Sequence, residues 1–186
     1  RGGWAGDSAL RTRGDYPDFY IVGAPRCGTT FMFDSLGHHP RVFVPWRKEP
    51  NFFCADLDSG SYLESISFMR DDAAYRALFD GAAPDQIAGE ASTWYLYSTV
   101  AAARIAAVRP DARIVSMLRN PVEMMYSLHG RRRFGGTEVL SFADALAAED
   151  ERRQGRRLPP RPRNIRGLLY RDVARYAGQL ERYLRR

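Results

Sequence analysis

The segment from Asp18 to Leu36 constrains the fold more than any other part of the chain. It reads DFYIVGAPRCGTTFMFDSL, in which a short apolar, β-favouring run is followed by a glycine-bracketed loop and a helical pattern. Gly28 removes a side chain where a ligand would approach the backbone, and Thr29 and Thr30 open a helix whose free amide groups favour an anion. The segment therefore predicts a buried strand, a phosphate-binding loop and a helix.

The loop has the spacing of a Walker A motif but lacks the lysine of that motif. Thr29 stands where nucleoside triphosphatases place the lysine that contacts the outer phosphates, and the cation lies earlier, at Arg26. The sequence GAPRCGTT resembles the 5′-phosphosulfate-binding loop of sulfotransferases that use 3′-phosphoadenosine 5′-phosphosulfate (PAPS). This resemblance implies that the nucleotide is bound by Pro25, Arg26, Cys27, Gly28, Thr29 and Thr30.

A second motif, Ile114 to Ser127, reads IVSMLRNPVEMMYS. Arg119 is predicted to end a strand, and Ser127 lies about two turns into the following helix, so that both side chains can face one anion. The segment resembles the 3′-phosphate-binding segment of the same sulfotransferases. The resemblance implies that Arg119 and Ser127 bind the 3′-phosphate of the nucleotide.

Two further segments resemble motifs of glycan and bacterial natural-product sulfotransferases. WRKEPNFF at 46–53 resembles K-E-x-x-F-F, which implies that Lys48 reaches the sulfate oxygens, while Glu49 is expected to order the loop. GEASTWY at 89–95 resembles G-E-K-[ST]-P-x-Y, which implies that Glu90 is the catalytic base. The open alternative is that Glu90 forms an ion pair with Arg26 or Arg119.

Strand and helix patterns alternate along the chain, which predicts a three-layer, P-loop-like α/β fold with a central parallel sheet flanked by helices. We expect Arg26, Glu90 and Arg119 to converge at the carboxyl ends of the strands. The predicted strands are 18–23, 41–44, 86–90 and 112–118, and the predicted helices include 98–108, 121–133, 141–151 and 164–186, with helical spacing also over 61–80.

Composition limits the class of protein without identifying its ligand. The chain has 186 residues, of which 45% are hydrophobic, and its formal net charge is +6. These values suit one folded domain, expected at 17–186 after a flexible lead-in at 1–16, and they favour anionic ligands. Cys27 and Cys54 are expected to be free thiols and no metal site is predicted. No apolar run suits a signal peptide or membrane span, so we expect a cytoplasmic protein.

The sequence thus predicts an enzyme that moves a sulfuryl group from PAPS to a hydroxyl of a carbohydrate or small-molecule acceptor and releases 3′,5′-ADP without a metal. An amine is the second choice of acceptor group. Arg26, Lys48 and Glu90 are the predicted catalytic residues. A P-loop kinase or NTPase, and a basic module that binds nucleic acid or another polyanion, remain as alternatives. The family continues beyond the helix at 176–184, so the domain is expected to lack its C-terminal part.

Overall fold

The computed structural model describes residues 16–58, 67–160, 162 and 164–185. In these ranges, four strands form one sheet in the order β2–β3–β1–β4, and every neighbouring pair is parallel. The strands are β1 (Phe19–Gly23), β2 (Val42–Phe43), β3 (Ile87–Ala91) and β4 (Arg113–Ser116). The predicted parallel sheet is confirmed, with slightly shorter strands than the sequence patterns indicated.

Helices follow each strand, and local sequence explains several of their ends. For example, the Asn120 side chain accepts hydrogen bonds from the amide groups of Val122 and Glu123, at the start of the helix that begins at Pro121. No helix in the described ranges is long and apolar enough to cross a membrane. The helices are α1 (Thr29–Gly37), α2 (Asp72–Ala77), α3 (Ala101–Val108), α4 (Pro121–Phe134), α5 (Phe142–Ala147), α6 (Glu149–Arg153), α7 (Tyr170–Val173) and α8 (Tyr176–Leu184), with 3₁₀ turns at Ala55–Leu57 and Ile165–Leu168.

The side chains of β1 alternate between two apolar cores. Tyr20 and Val22 belong to a larger core, which α2, α3 and α4 cover, whereas Phe19 and Ile21 belong to a smaller core against α1. All five residues of β1 are buried, as expected of a parallel strand that is covered on both faces. Gly89 of β3 is required because an added Cβ would lie 1.8 Å from the Phe19 ring. The predicted three-layer α/β architecture is therefore confirmed.

The C-terminal region departs from the prediction of one amphipathic helix over residues 164–186. The structure has a 3₁₀ turn followed by the separate helices α7 and α8. A backbone ψ of 65° at Arg175 interrupts the helical path. The Gln179 side chain then donates hydrogen bonds to the carbonyl oxygens of Asp172 and Val173, which lie at the end of α7. The prediction was wrong because apolar periodicity identifies the buried face of a helix but not the point where its path breaks.

Two other helix predictions were too long. The span 61–80 contains only α2 among its described residues, and 59–66 lie outside the described ranges. The span 141–151 contains α5 and the beginning of α6, which meet at Ala148. The predicted lead-in at 1–16 also lies outside the described residues, except for residue 16.

A buried ion pair joins the segment after α4 to α6 and α7. Arg152 donates two hydrogen bonds to the Glu138 carboxylate, at 2.7 and 2.8 Å, and both side chains are fully buried. The Tyr170 hydroxyl donates a third, at 2.9 Å. Burial by itself raises the pKa of Glu138, but the hydrogen bonds from Arg152, Leu140 and Tyr170 outweigh it and lower the pKa to about 2. The ion pair is therefore charged, and both oxygens of the Glu138 carboxylate accept hydrogen bonds from Arg152.

Arg152→Ala is expected to lower the free energy of unfolding by about 3–5 kcal/mol, because it leaves a buried carboxylate without its charged partner. Arg153→Ala is the matched control. Arg153 pairs with Asp150 and Asp172 at the surface, so its loss should cost at most about 1 kcal/mol. Urea unfolding of the two variants measures both values. Equal losses of unfolding free energy in the two variants would show that the buried pair stabilises the fold no more than the surface pairs do.

Candidate functional site

A cavity of about 660 Å³ lies beyond the carboxyl ends of the strands. The segments that follow all four strands contribute to its wall, as expected at this edge of a parallel sheet. The structure therefore brings together the two predicted anion-binding motifs. The lining residues are Pro25, Arg26, Gly28, Thr29, Thr30, Glu49, Thr93, Trp94, Arg119, Ser127, Leu128, Arg131, Arg132, Gly135 and Thr137.

The loop between β1 and α1 presents backbone amide groups to this cavity. Gly28 is the N-cap of α1 and has a left-handed φ of 80°, which glycine adopts without strain. Because the N-cap is a glycine, no side chain at that position occupies the first amide groups of the helix. Arg26 also has a positive φ, of 63°, within the same loop. A helix N-terminus with free amide groups beside an arginine favours a phosphate or sulfate group.

Arg26 and Arg119 are held differently within the cavity wall. The Arg26 Nε donates a hydrogen bond of 3.1 Å to the Ser127 hydroxyl, which ties the loop to α4. The Arg119 guanidinium forms an ion pair of 2.7 Å with Glu123, in the first turn of α4. Both partners of this pair are largely exposed, so the pair contributes little and an incoming phosphate can replace the carboxylate. Arg119 and Ser127 thus lie where a second anionic group can bind.

Glu49 enters the cavity, whereas the neighbouring Lys48 is not among the lining residues. The Glu49 carboxylate accepts hydrogen bonds from Lys48 Nζ at 2.9 Å and from the Thr93 hydroxyl at 3.3 Å. Its side chain remains 39% exposed. From the sequence, Glu49 was expected only to order the loop, although it belongs to the same K-E-x-x-F-F motif as Lys48. Glu49 is therefore a carboxylate that an acceptor in the cavity can reach.

Glu90 does not occupy the predicted position. Its side chain is fully buried outside the cavity, and its Oε2 atom accepts hydrogen bonds from the hydroxyls of Tyr75 at 2.7 Å and Tyr95 at 2.8 Å. Glu90 pairs with Tyr20 of β1, so strand alternation turns its side chain into the larger core. The assignment of Glu90 as the base therefore does not fit the geometry, because the carboxylate cannot reach an acceptor. Among the described residues, Arg26 contacts Ser127 and Arg119 pairs with Glu123, so the alternative ion pair with Glu90 is not formed either.

Burial raises the pKa of Glu90 to about 7, although the hydroxyls of Ser92, Tyr75 and Tyr95 oppose this effect. A raised pKa suits a general base, but proton transfer also requires contact with the reacting group. Glu90 has the raised pKa, but its carboxylate does not line the cavity where the reacting group would bind.

Cys27 contributes no side chain to the cavity wall. Its thiol is buried, donates a hydrogen bond to the Pro25 carbonyl at 3.4 Å, and lies 4.0 Å from the Tyr176 hydroxyl oxygen. Burial raises the pKa of this thiol. A role for Cys27 in anion binding is therefore limited to its backbone.

Two polar residues of α4, Arg132 and His129, are buried. Arg132 is only 8% exposed, and its guanidinium carbon lies 5.7 Å from the centre of the Trp94 ring. His129 is also buried, with its Nε2 3.0 Å from the Leu140 carbonyl oxygen. Met124, Leu128 and Arg132 follow one another at intervals of four, so helical periodicity alone predicts that Arg132 shares the buried face.

Comparisons with known proteins agree with the predicted resemblance. Residues 17–173 match the model of a family described as the sulfotransferase family. Human carbohydrate sulfotransferase 15 is 31% identical over 171 residues, and the match covers 73% of this chain and 29% of the human protein. Human bifunctional heparan sulfate N-deacetylase/N-sulfotransferase 2 is 30% identical over 139 residues, covering 73% of this chain and 15% of that protein. The chain thus spans less than a third of the length of these curated relatives.

A solved structure extends the agreement to three dimensions. The crystal structure of a sulfotransferase from Alicyclobacillus acidocaldarius superposes with a TM-score of 0.79 at 36% sequence identity. The superposition covers 91% of this chain and 68% of that chain. The parallel sheet and its flanking helices are therefore a shared fold, which bears out the predicted P-loop-like class.

Glu90→Gln is expected to remove a pH dependence of stability. The pKa of Glu90 is higher in the folded state, so the unfolded state loses its proton first as the pH rises from 4.5 to 7. The wild type should therefore lose up to roughly 3 kcal/mol of unfolding free energy across this interval through Glu90 alone. The variant should not show this loss. Urea unfolding of both proteins at several pH values gives the difference, and parallel curves would contradict the burial effect.

Proposed function

This chain belongs to the sulfotransferase family, and we propose that it uses PAPS as the sulfuryl donor. The proposed acceptor group is a hydroxyl of a carbohydrate or small molecule, with an amine as the second choice. One observation carries the proposal above all. A reachable carboxylate, Glu49, lines the same cavity as an anion-binding helix N-terminus and the arginines Arg26 and Arg119. Such a cavity can bind an anionic donor, and the Glu49 carboxylate can accept a proton from the acceptor.

The loop before α1 and the pair Arg119–Ser127 together suit a nucleotide that carries phosphates at both the 5′ and the 3′ position of its ribose. In the proposal, the amide groups of Gly28, Thr29 and Thr30 and the Arg26 side chain bind the 5′-phosphosulfate. Arg119 and Ser127 bind the 3′-phosphate, and Arg119 exchanges Glu123 for it. The guanidinium offers a planar set of donors that matches a phosphate. The absence of the Walker lysine at position 29 favours this donor over a nucleoside triphosphate.

The transfer itself is a direct displacement at sulfur. The acceptor oxygen forms a bond to sulfur while the bond between sulfur and the bridging oxygen of the 5′-phosphate breaks. The acceptor proton passes to the Glu49 carboxylate, and 3′,5′-ADP leaves with the bonding electrons. Arg26 and the loop amide groups stabilise the charge that develops on the departing phosphate.

Lys48 has a supporting role in this proposal. Its ammonium contacts Glu49 at 2.9 Å, and its side chain is 19% exposed. Lys48 and Thr93 together fix the orientation of the carboxylate towards the acceptor. We therefore propose that Lys48 acts through Glu49, in place of the direct contact with sulfate that the family motif implied.

Glu49→Gln is expected to lower sulfuryl turnover by roughly 10² or more, because the amide keeps the shape but cannot accept the proton. The affinity for 3′,5′-ADP should stay within about threefold of the wild type, since Glu49 is not a nucleotide ligand in the proposal. Turnover is measured with labelled PAPS and a panel of glycan and small-molecule acceptors. Glu181→Gln, in an exposed ion pair on α8, is the matched control and should have wild-type turnover. Undiminished turnover in Glu49→Gln would exclude the proposed base.

Arg119→Ala is expected to weaken the binding of 3′,5′-ADP by about 1.5–3 kcal/mol, the scale of hydrogen bonds to a charged group. Binding of 5′-AMP should change little, because that nucleotide lacks the 3′-phosphate. Isothermal titration with the two nucleotides measures the difference. Equal losses for 3′,5′-ADP and 5′-AMP would refute the assigned contact.

The same titration separates the alternative functions. A PAPS-dependent sulfotransferase should prefer 3′,5′-ADP without added metal. A P-loop kinase or NTPase should prefer ATP with magnesium, and a basic nucleic-acid-binding module should bind a generic duplex with strong salt dependence. Preference for either of the last two ligands would overturn the proposed function.

A further inference from the structure

The carboxylate of Glu90 is buried in the core and takes no part in the proposed reaction, yet it is linked to the loop that carries Glu49. Its Oε2 atom accepts hydrogen bonds from two buried tyrosine hydroxyls, those of Tyr75 and Tyr95. A buried carboxylate is costly unless it is hydrogen-bonded, and the two tyrosine hydroxyls provide these bonds. The other contacts of the two tyrosines show what this buried cluster holds in place.

The loop 49–53 has a backbone conformation that requires support. Glu49 has a φ of 60° and Asn51 a φ of 53°, in the left-handed region that non-glycine residues rarely adopt. Residues in such conformations persist only where surrounding contacts hold them, and they concentrate at functional sites. The position of the Glu49 carboxylate in the cavity therefore depends on the contacts that hold this loop.

Three amide groups of the loop donate hydrogen bonds to the segment that follows Glu90. The amide of Glu49 donates to the Ala91 carbonyl at 2.9 Å, and the amide of Asn51 donates to the Ser92 hydroxyl at 3.0 Å. The amide of Phe53 donates to the Tyr95 hydroxyl at 3.3 Å. The loop is thus docked on residues 91–95, and two of its three anchors, the hydroxyls of Ser92 and Tyr95, also contact Glu90.

The Tyr95 hydroxyl joins Glu90 to the loop. A hydroxyl has a single proton, and here that proton is donated to Glu90, which leaves the oxygen lone pairs to accept from the Phe53 amide. Without an acceptor at position 90, the hydroxyl proton would lose the partner that directs it away from the Phe53 amide. Donation to the carboxylate also polarises the hydroxyl.

We propose that Glu90 is a positioning residue, which acts through the Tyr95 hydroxyl to hold the loop 49–53 in the conformation that presents Glu49 to the acceptor. The inference rests on the proposed function for the role of Glu49. The docking of the loop itself does not depend on that function.

Tyr75 provides a matched control within the same cluster. Its hydroxyl donates to the same oxygen of Glu90, at 2.7 Å, and its ring, like that of Tyr95, is buried. Its ring stacks on Phe52 at a centroid distance of 4.3 Å, a contact that phenylalanine preserves. The structure shows no hydrogen bond from the Tyr75 hydroxyl to the loop backbone among the described residues. Tyr75→Phe and Tyr95→Phe therefore remove equivalent bonds to Glu90, but only the second removes the loop anchor.

The first experiment compares the two tyrosine variants. In Tyr95→Phe, amide hydrogen exchange at Phe53 should accelerate about tenfold or more and turnover should fall about tenfold, the scale of one lost hydrogen bond. The affinity for 3′,5′-ADP should stay within about threefold, because the nucleotide contacts are elsewhere. Tyr75→Phe should leave both exchange at Phe53 and turnover within about twofold of the wild type. Equal effects of the two variants would overturn the inference.

The second experiment replaces Glu90 itself. Glu90→Gln keeps an oxygen that can accept from Tyr95, so turnover and Phe53 protection should stay within about fivefold of the wild type. Glu90→Ala removes the acceptor and should match or exceed the losses of Tyr95→Phe. If Glu90→Gln abolishes turnover while Phe53 stays protected, Glu90 is a proton acceptor and the positioning role is wrong. The tyrosine variants decide the matter if Glu90→Ala does not fold.

Hydrogen exchange separates failure of this inference from failure of the proposed function. If the wild type neither binds 3′,5′-ADP nor transfers a sulfuryl group, the proposed function fails. Selective loss of Phe53 protection in Tyr95→Phe would still support the docking of the loop. If the wild type is active and Tyr95→Phe behaves like Tyr75→Phe, the inference fails and the proposed function stands.

Discussion

The parallel pairing of β1 with β3 on one side and β4 on the other is the interaction on which the rest of the structure depends. It brings the carboxyl ends of these strands to one edge of the sheet, and the segments that follow them form the cavity wall. The pairing requires a strand that is apolar on both faces, because helices cover both. The FYIVG sequence of β1 meets that requirement, and its last residue leads directly into the loop proposed to bind the donor.

The three carboxylates that matter most differ in their surroundings more than in their chemistry. Glu138 is held charged by Arg152, with a pKa of about 2, whereas burial raises the pKa of Glu90 to about 7. Glu49 remains partly exposed beside Lys48. The two carboxylates with shifted pKa values are thus both buried and do not line the cavity. Access to the cavity separates the candidate base from the two carboxylates that organise the fold around it.

Local sequence signals predicted much of the fold. The Asn120–Pro121 cap, the Ser141 cap and the glycine at position 28 are short-range features, and they mark the starts of helices predicted to begin at 121, 141 and 29. The C-terminal region was predicted less well because its helix breaks depend on contacts between separate segments, such as that of Gln179 with the end of α7. The burial of Arg132 agrees with the periodicity of α4, because Met124, Leu128 and Arg132 share one face of that helix.

The sequence by itself determined the glycine-bracketed loop between β1 and α1, the alternation of strands with helices, and the family, because these depend on residue types at fixed local spacing. Only the tertiary structure decided which glutamate reaches the cavity. Glu90 is the penultimate residue of β3 and Glu49 lies in the loop after β2, and each belongs to a motif of the family, so the motifs alone do not tell which carboxylate reaches the cavity. Strand alternation turns Glu90 into the core beside Tyr20, while the left-handed backbone at Glu49 directs its carboxylate into the cavity, and these orientations are set by packing between distant segments.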